Sequence, residues 1–246
     1  MKVQRTKKGN LVVVDKYSFN CAVIGMLLGD ASLRRYVRKT GPESCSKKGP
    51  FWNTTNLCFE HTKEKEQYGY WKVELVKAYI NNFSICDKVK KIEDKTHYGT
   101  QFLLRHRKNF HYIYKKFYCG GEINNNYVIG ATKIIKDSVL SRVNDLSLAI
   151  WYMDDGSLYT YHKNGHTYRT LSLHTDCFTY EECEKVQNMF YDRFNIEFNI
   201  NHNGTTDKKF DRGYKLRCHK SDSVFNFLEL VYDYVCDVPC MRYKLP

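Results

Sequence analysis

An apolar segment ending in an aspartate occurs twice in the chain: AVIGMLLG precedes Asp30-Ala31-Ser32-Leu33, and LAIWYMD precedes Asp155-Gly156-Ser157-Leu158. The two aspartates stand 125 positions apart (155 − 30). A repeat at that spacing means that whatever fold serves one half must serve the other, which removes most alternatives at once.

The segments C-terminal to the two aspartates also match in kind. After the first come a basic, turn-rich stretch (RRYVRKTGPESCSKKGPFW), a strand pattern (NLCFEHT) and a helix pattern in EQYGYWKVELVKAYI, with Tyr68, Trp71, Leu75, Val76 and Tyr79 near helical spacing. After the second come YTYHKNGHTYR, TLSLHT and YEECEKVQNMFYDRF, the last opened by Thr179 with Glu182 three residues on, a capping-box spacing. Each copy then gives a basic strand pair and a further helix: KKIEDKTHYG, TQFLLRHR and NFHYIYKKFY in the first, IEFNINHN, YKLRCHK and SVFNFLELVYDYV in the second. Each half reads helix, two strands, helix, two strands, helix. The expected fold is a pseudo-symmetric α/β (α+β) duplication with repeats over 1–140 and 141–246, dividing near SVLSRVND (138–145).

Charge narrows the partner. Lys and Arg outnumber Asp and Glu 39 to 27, a formal charge of +12, which favours a polyanion such as nucleic acid or an anionic membrane surface. The longest strongly apolar run, Cys21–Leu28, falls far short of the roughly 20 residues of a spanning helix, and MKVQRTKKGN lacks the apolar segment of a secretory signal, so a soluble protein is expected. The ten cysteines form no CxxC pair and fall in patterned segments, which reads as small reduced core residues in a reducing intracellular compartment. Cys236 and Cys240 share a helix spacing but have no second ligand pair, so zinc is not expected.

In the first apolar segment, Gly25 and Gly29 lie four apart on one helix face and allow another backbone to approach closely. The obvious partner is the second copy. Two such helices crossing at a pseudo-two-fold axis place Asp30 and Asp155 side by side, where mutual repulsion and the negative helix ends favour a bound cation. Oxygen ligands of this kind suit Mg²⁺, and a metal beneath a basic surface that holds a phosphate backbone points to nuclease chemistry.

These two segments, VIGMLLGDA and LAIWYMDDG, resemble the paired motifs of the LAGLIDADG homing endonucleases in their monomeric, double-motif form. The resemblance implies two four-stranded antiparallel sheets forming a saddle on the DNA major groove, with the motif helices packed at the interface. It places the metal-binding acids at the eighth motif position, Asp30 and Asp155, and leaves Asp154 at the seventh as a residue that is not the expected ligand. A basic residue beside the scissile phosphates is implied near the end of each repeat: Lys244 in Tyr243-Lys244-Leu245-Pro246, and Lys133 or Lys136 in GATKIIKD, with Lys133 favoured because Lys-Ile-Ile resembles the family pattern. Glu60 and His174 fall where the family places polar residues near the metals, and Ala31 and Gly156 adjoin the acids. Two departures stand out: Gly25 is matched by Ile150 and Gly29 by Asp154, so the helix contact is expected to be asymmetric and to lean on Ser147 and Ala149.

For DNA contact the first repeat offers Arg34, Arg35, Arg38, Lys47, Lys48, Lys63, Gln101, Arg105 and Arg107, and the second offers Tyr159, His162, Arg169, Lys208, Lys209, Arg212, Lys215 and Arg217. Arg and Gln suit base edges, whereas Lys suits the backbone. The function implied is a Mg²⁺-dependent, site-specific double-strand DNA endonuclease, with Mn²⁺ able to substitute, making a staggered cut and encoded in an intron or a free-standing mobile element. A second reading is an RNA-binding intron maturase on the same scaffold. A non-catalytic regulator would tolerate loss of the motif acids, and both are present.

Overall fold

The computed structural model describes residues 2–39, 51–92, 95–106, 109–124, 127–202 and 213–246. Both repeats have the expected order of elements. The first runs α1 (Lys16–Leu28), β1 (Ser32–Lys39), β2 (Phe51–Thr62), α2 (Glu66–Val76), β3 (Asn82–Ile92), β4 (Lys95–Arg105) and α3 (Asn109–Phe117). A hairpin of β5 (Glu122–Asn124) and β6 (Tyr127–Ile129) comes next. The second repeat runs α4 (Asp145–Asp155), β7 (Gly156–Lys163), β8 (His166–His174), α5 (Tyr180–Phe194), β9 (Asn199–His202), β10 (Tyr214–Cys218) and α6 (Ser221–Cys236), and closes on a 3₁₀ turn, Pro239–Lys244.

Packing divides the chain differently from the repeat. One compact unit contains Val14–Asp30 and Ile135–Pro246, so α1 is part of the same unit as the second repeat; the other contains Gln4–Val13 and Ala31–Ile134.

In the unit of the second repeat the sheet has the order β7-β8-β10-β9, antiparallel throughout. Leu171, Leu173, Leu216 and Cys218 are buried on its helix side. There the rings of Trp151, Phe190, Phe198 and Phe227 pack with centroids 4.6–6.2 Å apart, the spacing of offset and edge-on aromatic pairs. The Thr179/Glu182 capping box opens α5, with both reciprocal hydrogen bonds made (3.2 and 2.9 Å).

The other unit departs from the four-stranded expectation. Its sheet has six strands in the order β3-β4-β2-β1-β6-β5, because β6 pairs with the outer edge of β1 at Tyr36–Tyr127. This covers an edge that would otherwise present unpaired backbone groups. The hairpin hides in GGEINNNYVIG, whose strands are three residues each and flanked by Gly121 and Gly130 at positive φ. The β3–β4 boundary also differs from its reading: Lys90–Ile92 ends β3 and Lys95 begins β4, inside what reads as one strand, KKIEDKTHYG, since no Gly or Pro marks the break. The core here joins Leu57, Phe59, Phe102 and Leu104 to Tyr68, Val73 and Val76 of α2 and Phe110 and Phe117 of α3. Lys72 is fully buried within it, its ammonium 4.4 Å from the Tyr68 ring centroid and 4.9 Å from that of Phe59.

The cysteines are only partly the core residues expected. Cys21, Cys58, Cys183 and Cys218 are buried, whereas Cys86, Cys119 and Cys177 are exposed; Cys45 lies outside the described residues. Burial pushes the thiols of Cys21, Cys183 and Cys218 up to about 11 and raises that of Cys58. A thiol reagent at neutral pH is therefore expected to label Cys86, Cys119 and Cys177 in the native chain and the buried four only after denaturation, as peptide mapping would read. Uniform labelling would contradict this packing.

Candidate active site

α1 is buried from Ser18 to Leu28, on every side rather than along one stripe. Asp15 caps it, accepting from the Ser18 N–H at 2.7 Å, a bond that holds the Asp15 carboxyl below its ordinary value. The helix packs along α4. A Cβ at Gly25 would lie 2.6 Å from the Ser147 carbonyl oxygen and 2.8 Å from its Cα, so the glycine is what lets the two backbones meet. Ser147 does two further things: it completes a capping box with Asn144 at the start of α4, and its hydroxyl donates across the contact to the Cys21 carbonyl at 2.9 Å. The asymmetry expected from Ile150 and Asp154 is present, since those side chains fill the space beside Gly25 and Gly29. Ala149 is buried in the same helix.

The helices deliver three acids to one end. α1 finishes at Leu28, Gly29 donates its N–H to the Gly25 carbonyl (3.1 Å), and Asp30 comes next, exposed. α4 finishes with Asp154 and Asp155, both half-buried. The Asp154 carboxylate accepts from the Asp30 N–H at 3.3 Å, and a carboxylate oxygen of each residue lies within 4.8 Å of the other. Asp154, the acid not expected to be a ligand, thus sits directly against Asp30. Its seventh-position spacing hides this, because the side chain reaches across the helix contact into the space left by Gly29.

Lys244 closes the end of α4. It is only 6% exposed, and its ammonium donates to the carbonyls of Tyr152 (3.0 Å) and Gly156 (2.8 Å). The Tyr152 hydroxyl donates back to the Lys244 carbonyl at 2.6 Å. A cation at the negative end of a helix is favourable, and both carbonyls it holds flank Asp155 in the sequence. Burial raises the Tyr152 hydroxyl well above its ordinary value, so it stays a donor. Lys244→Met would take a buried donor from both carbonyls and leave that of Tyr152 with the Gly156 N–H alone, at about 1–3 kcal/mol. The midpoint of urea unfolding is expected to fall accordingly, and an unchanged midpoint would show that the ammonium does not hold this end.

The remaining candidates are more scattered. Lys133 is half-buried in a short strand, Thr132–Lys133, paired with Tyr118–Cys119; Lys136 is exposed at the cap of a helical turn, Asp137–Leu140. Ala31 is fully buried. Gly156 begins β7, where the Tyr152 ring occupies the space a Cβ would need. Glu60 faces outward and pairs with Lys90 at 2.7 Å; His174 lies 3.6 Å from Asp176.

Strand register sorts the proposed DNA contacts by face. In the six-stranded sheet Arg34, Asn56, Arg105 and Asn82 form one row across β1, β2, β4 and β3, with Gln101 and Glu60 on the same face, opposite the side on which Leu57, Phe59 and Phe102 are buried. Arg35 lies on the helix-covered side, its guanidinium 5.8 Å from the Tyr114 ring centroid of α3. Lys63 is engaged by Glu66 and Asp87. In the four-stranded sheet Tyr159, Arg217, Lys215 and His174 face away from the helices. Exposed Tyr159, Tyr161 and Tyr168 stack on that face, centroids 5.9 and 5.1 Å apart. Arg169 and His162 fall on the other parity, with Leu158 and Leu171; Arg169 and Thr167 line a cavity with Val224, Phe225 and Leu228 of α6. The Arg38 side chain and residues Lys47, Lys48, Arg107, Lys208, Lys209 and Arg212 lie outside the described residues.

A family model described as the LAGLIDADG DNA endonuclease family matches residues 21–225. "Probable intron-encoded endonuclease 1" of Wickerhamomyces canadensis is 32% identical over 154 residues, 62% of this chain and 60% of that protein, so the chain spans less than two thirds of that relative's length. "Cytochrome b mRNA maturase bI2" of Debaryomyces hansenii is 28% identical over 223 residues, 90% of this chain and 71% of that protein. Among solved structures, "The homing endonuclease I-WcaI bound to its DNA recognition sequence" superposes with a TM-score of 0.65 at 23% identity, covering 94% of this chain and 87% of that one.

Proposed function

Because the chain belongs to the LAGLIDADG DNA endonuclease family, we propose that it is a site-specific homing endonuclease that hydrolyses both strands of a long DNA target with a staggered cut, acts as a monomer and is encoded in an intron. The observation that carries this reading is the packing of two motif helices from one chain, which brings Asp30 together with the acidic end of α4. The donors suit a hard divalent cation: carboxylate oxygens of Asp30 and Asp154 lie within 4.8 Å of each other, and Asp155 follows at the same helix end. Asp30 and Asp155 would hold it, Mg²⁺ being the expected ion and Mn²⁺ a substitute. When bound, such a cation activates water and stabilises charge on phosphodiester oxygens.

The protein's own groups supply the rest. Arg34, Arg105 and Gln101, on the outward face of one sheet, and Lys215, Arg217 and Tyr159, on that of the other, would meet phosphates and base edges. Lys133 and Lys244 are proposed to offset negative charge near the cut phosphates. Repeats 1–140 and 141–246 would each serve one half-site. An intracellular reducing compartment is part of this reading, in keeping with the free cysteines among the described residues.

The reading is tested by incubating the protein and Mg²⁺ with a randomised duplex library and sequencing the ends. Paired, offset cuts within one recurrent sequence are expected; uncut or randomly cut DNA would reject it. Replacing Arg34 and Arg105 together by Gln should lower the slope of log K against log salt by about 2, one for each phosphate contact. An unchanged slope would show that this row does not contact phosphates.

A second reading, an RNA-binding maturase, is favoured by the long match to the Debaryomyces maturase. Splicing of the host intron with and without the protein separates the two roles.

A further inference from the structure

We propose that Asp154 is a positioning residue: its carboxylate fixes the backbone at Asp30, so that the two motif acids are held in place by different devices. The proposal rests on the endonuclease reading for its consequence, and on geometry for its mechanism. The Asp30 N–H is the first beyond the Gly29 cap of α1, and it donates to the Asp154 carboxylate at 3.3 Å. Gly29 makes this bond possible, because a Cβ there would come 2.5 Å from both the Cβ and the carboxylate of Asp154. The two residues form a lock across the helix contact, glycine on one side and acid on the other.

The repeat shows why the lock works in one direction only. Gly29 and Asp154 occupy matched positions, so the first copy has no side chain at the place from which Asp154 reaches Asp30. The end of α4 is secured instead by the buried Lys244 ammonium on the Tyr152 and Gly156 carbonyls. One acid is thus steadied by a neighbouring carboxylate and the other by a neighbouring cation.

Hydrogen-bond acceptance and metal ligation by Asp154 predict different things. Asp154→Asn keeps an acceptor oxygen and the volume; Asp154→Ala keeps neither. If Asp154 positions Asp30, the Asp30 amide exchanges slowly with solvent in the native full-length chain and in D154N, and is expected to exchange on the order of tenfold faster in D154A. With the selected DNA target, D154A should slow one strand's cut by on the order of ten- to a hundredfold, the penalty of a displaced reacting group, so that nicked product accumulates. D154N should cut both strands within about threefold of the parent at saturating Mg²⁺. Unchanged exchange in D154A would overturn the proposal whatever the DNA result. Loss of cleavage in D154N equal to that in D154A at saturating Mg²⁺ would also overturn it, since the charge of Asp154 and not its hydrogen bond would then be what matters. A parent protein that cuts no DNA would reject the endonuclease reading alone, since the exchange measurement stands without it.

Discussion

Gly25→Val is expected to melt roughly 5–10 °C below the parent. The added carbons have no room: a Cβ alone would lie 2.6 Å from the Ser147 carbonyl and 2.8 Å from its Cα, both of them backbone. Flexible side chains can move aside, but here α1 and α4 must separate along their length. Separation weakens the Ser147 hydroxyl bond to Cys21 and opens gaps among residues buried on every side. Overpacking of this kind costs about 1–3 kcal/mol and more where backbone is the obstacle. At this chain length each kcal/mol moves the midpoint by about 2–4 °C. The outward rows of both sheets are untouched, so DNA affinity should change far less than cleavage. A midpoint within a degree of the parent would mean that the close approach at Gly25 is not what holds the helix pair.

The sequence makes that contact legible because it is written twice. The offset between Asp30 and Asp155 aligns two helices, and Gly25 with Gly29 marks the face on which they meet. The Thr179/Glu182 box likewise depends only on neighbours in the chain, and it forms as expected. Lys244 is harder to read: a lysine in the last three residues gives no hint that it is buried on the end of a helix 92 residues earlier. Asp154 is hidden for the same reason, since its partner is the backbone of Asp30 and backbone groups carry no signature.

The sheet faces show a different limit. Arg34 and Arg35 are adjacent and equally basic, yet strand alternation sends one outward and the other against Tyr114. Deciding between them needs the register of β1 on β2, which is anchored by Leu33 opposite Leu57. At the β7–β8 hairpin both faces reach solvent, so polarity does not distinguish Tyr159 from His162. The extra β5–β6 hairpin is illegible in the sequence because three-residue strands are too short to show alternation.

On the proposed function, the two motif acids carry the chemistry and the sheets carry the binding. Asp30 and Asp155 stand at the C-terminal ends of the two motif helices, and their carboxylates are the oxygen donors a divalent cation would take. Asp155→Asn preserves shape and removes the charge. The loss of one charge-stabilising group at a reacting centre is worth on the order of 10²–10³ in rate. Affinity should hold within about threefold, because the contacts along Arg34, Arg105, Lys215 and Arg217 remain. Asp30→Asn should behave alike.

The most direct measurement is single-turnover cleavage of the selected duplex by Asp155→Asn in saturating Mg²⁺, each strand labelled separately and binding measured on the same DNA. The expected result is that cleavage of at least one strand is abolished while the complex still forms. Cutting of both strands at the parent rate would contradict the assignment of the chemistry to the motif acids.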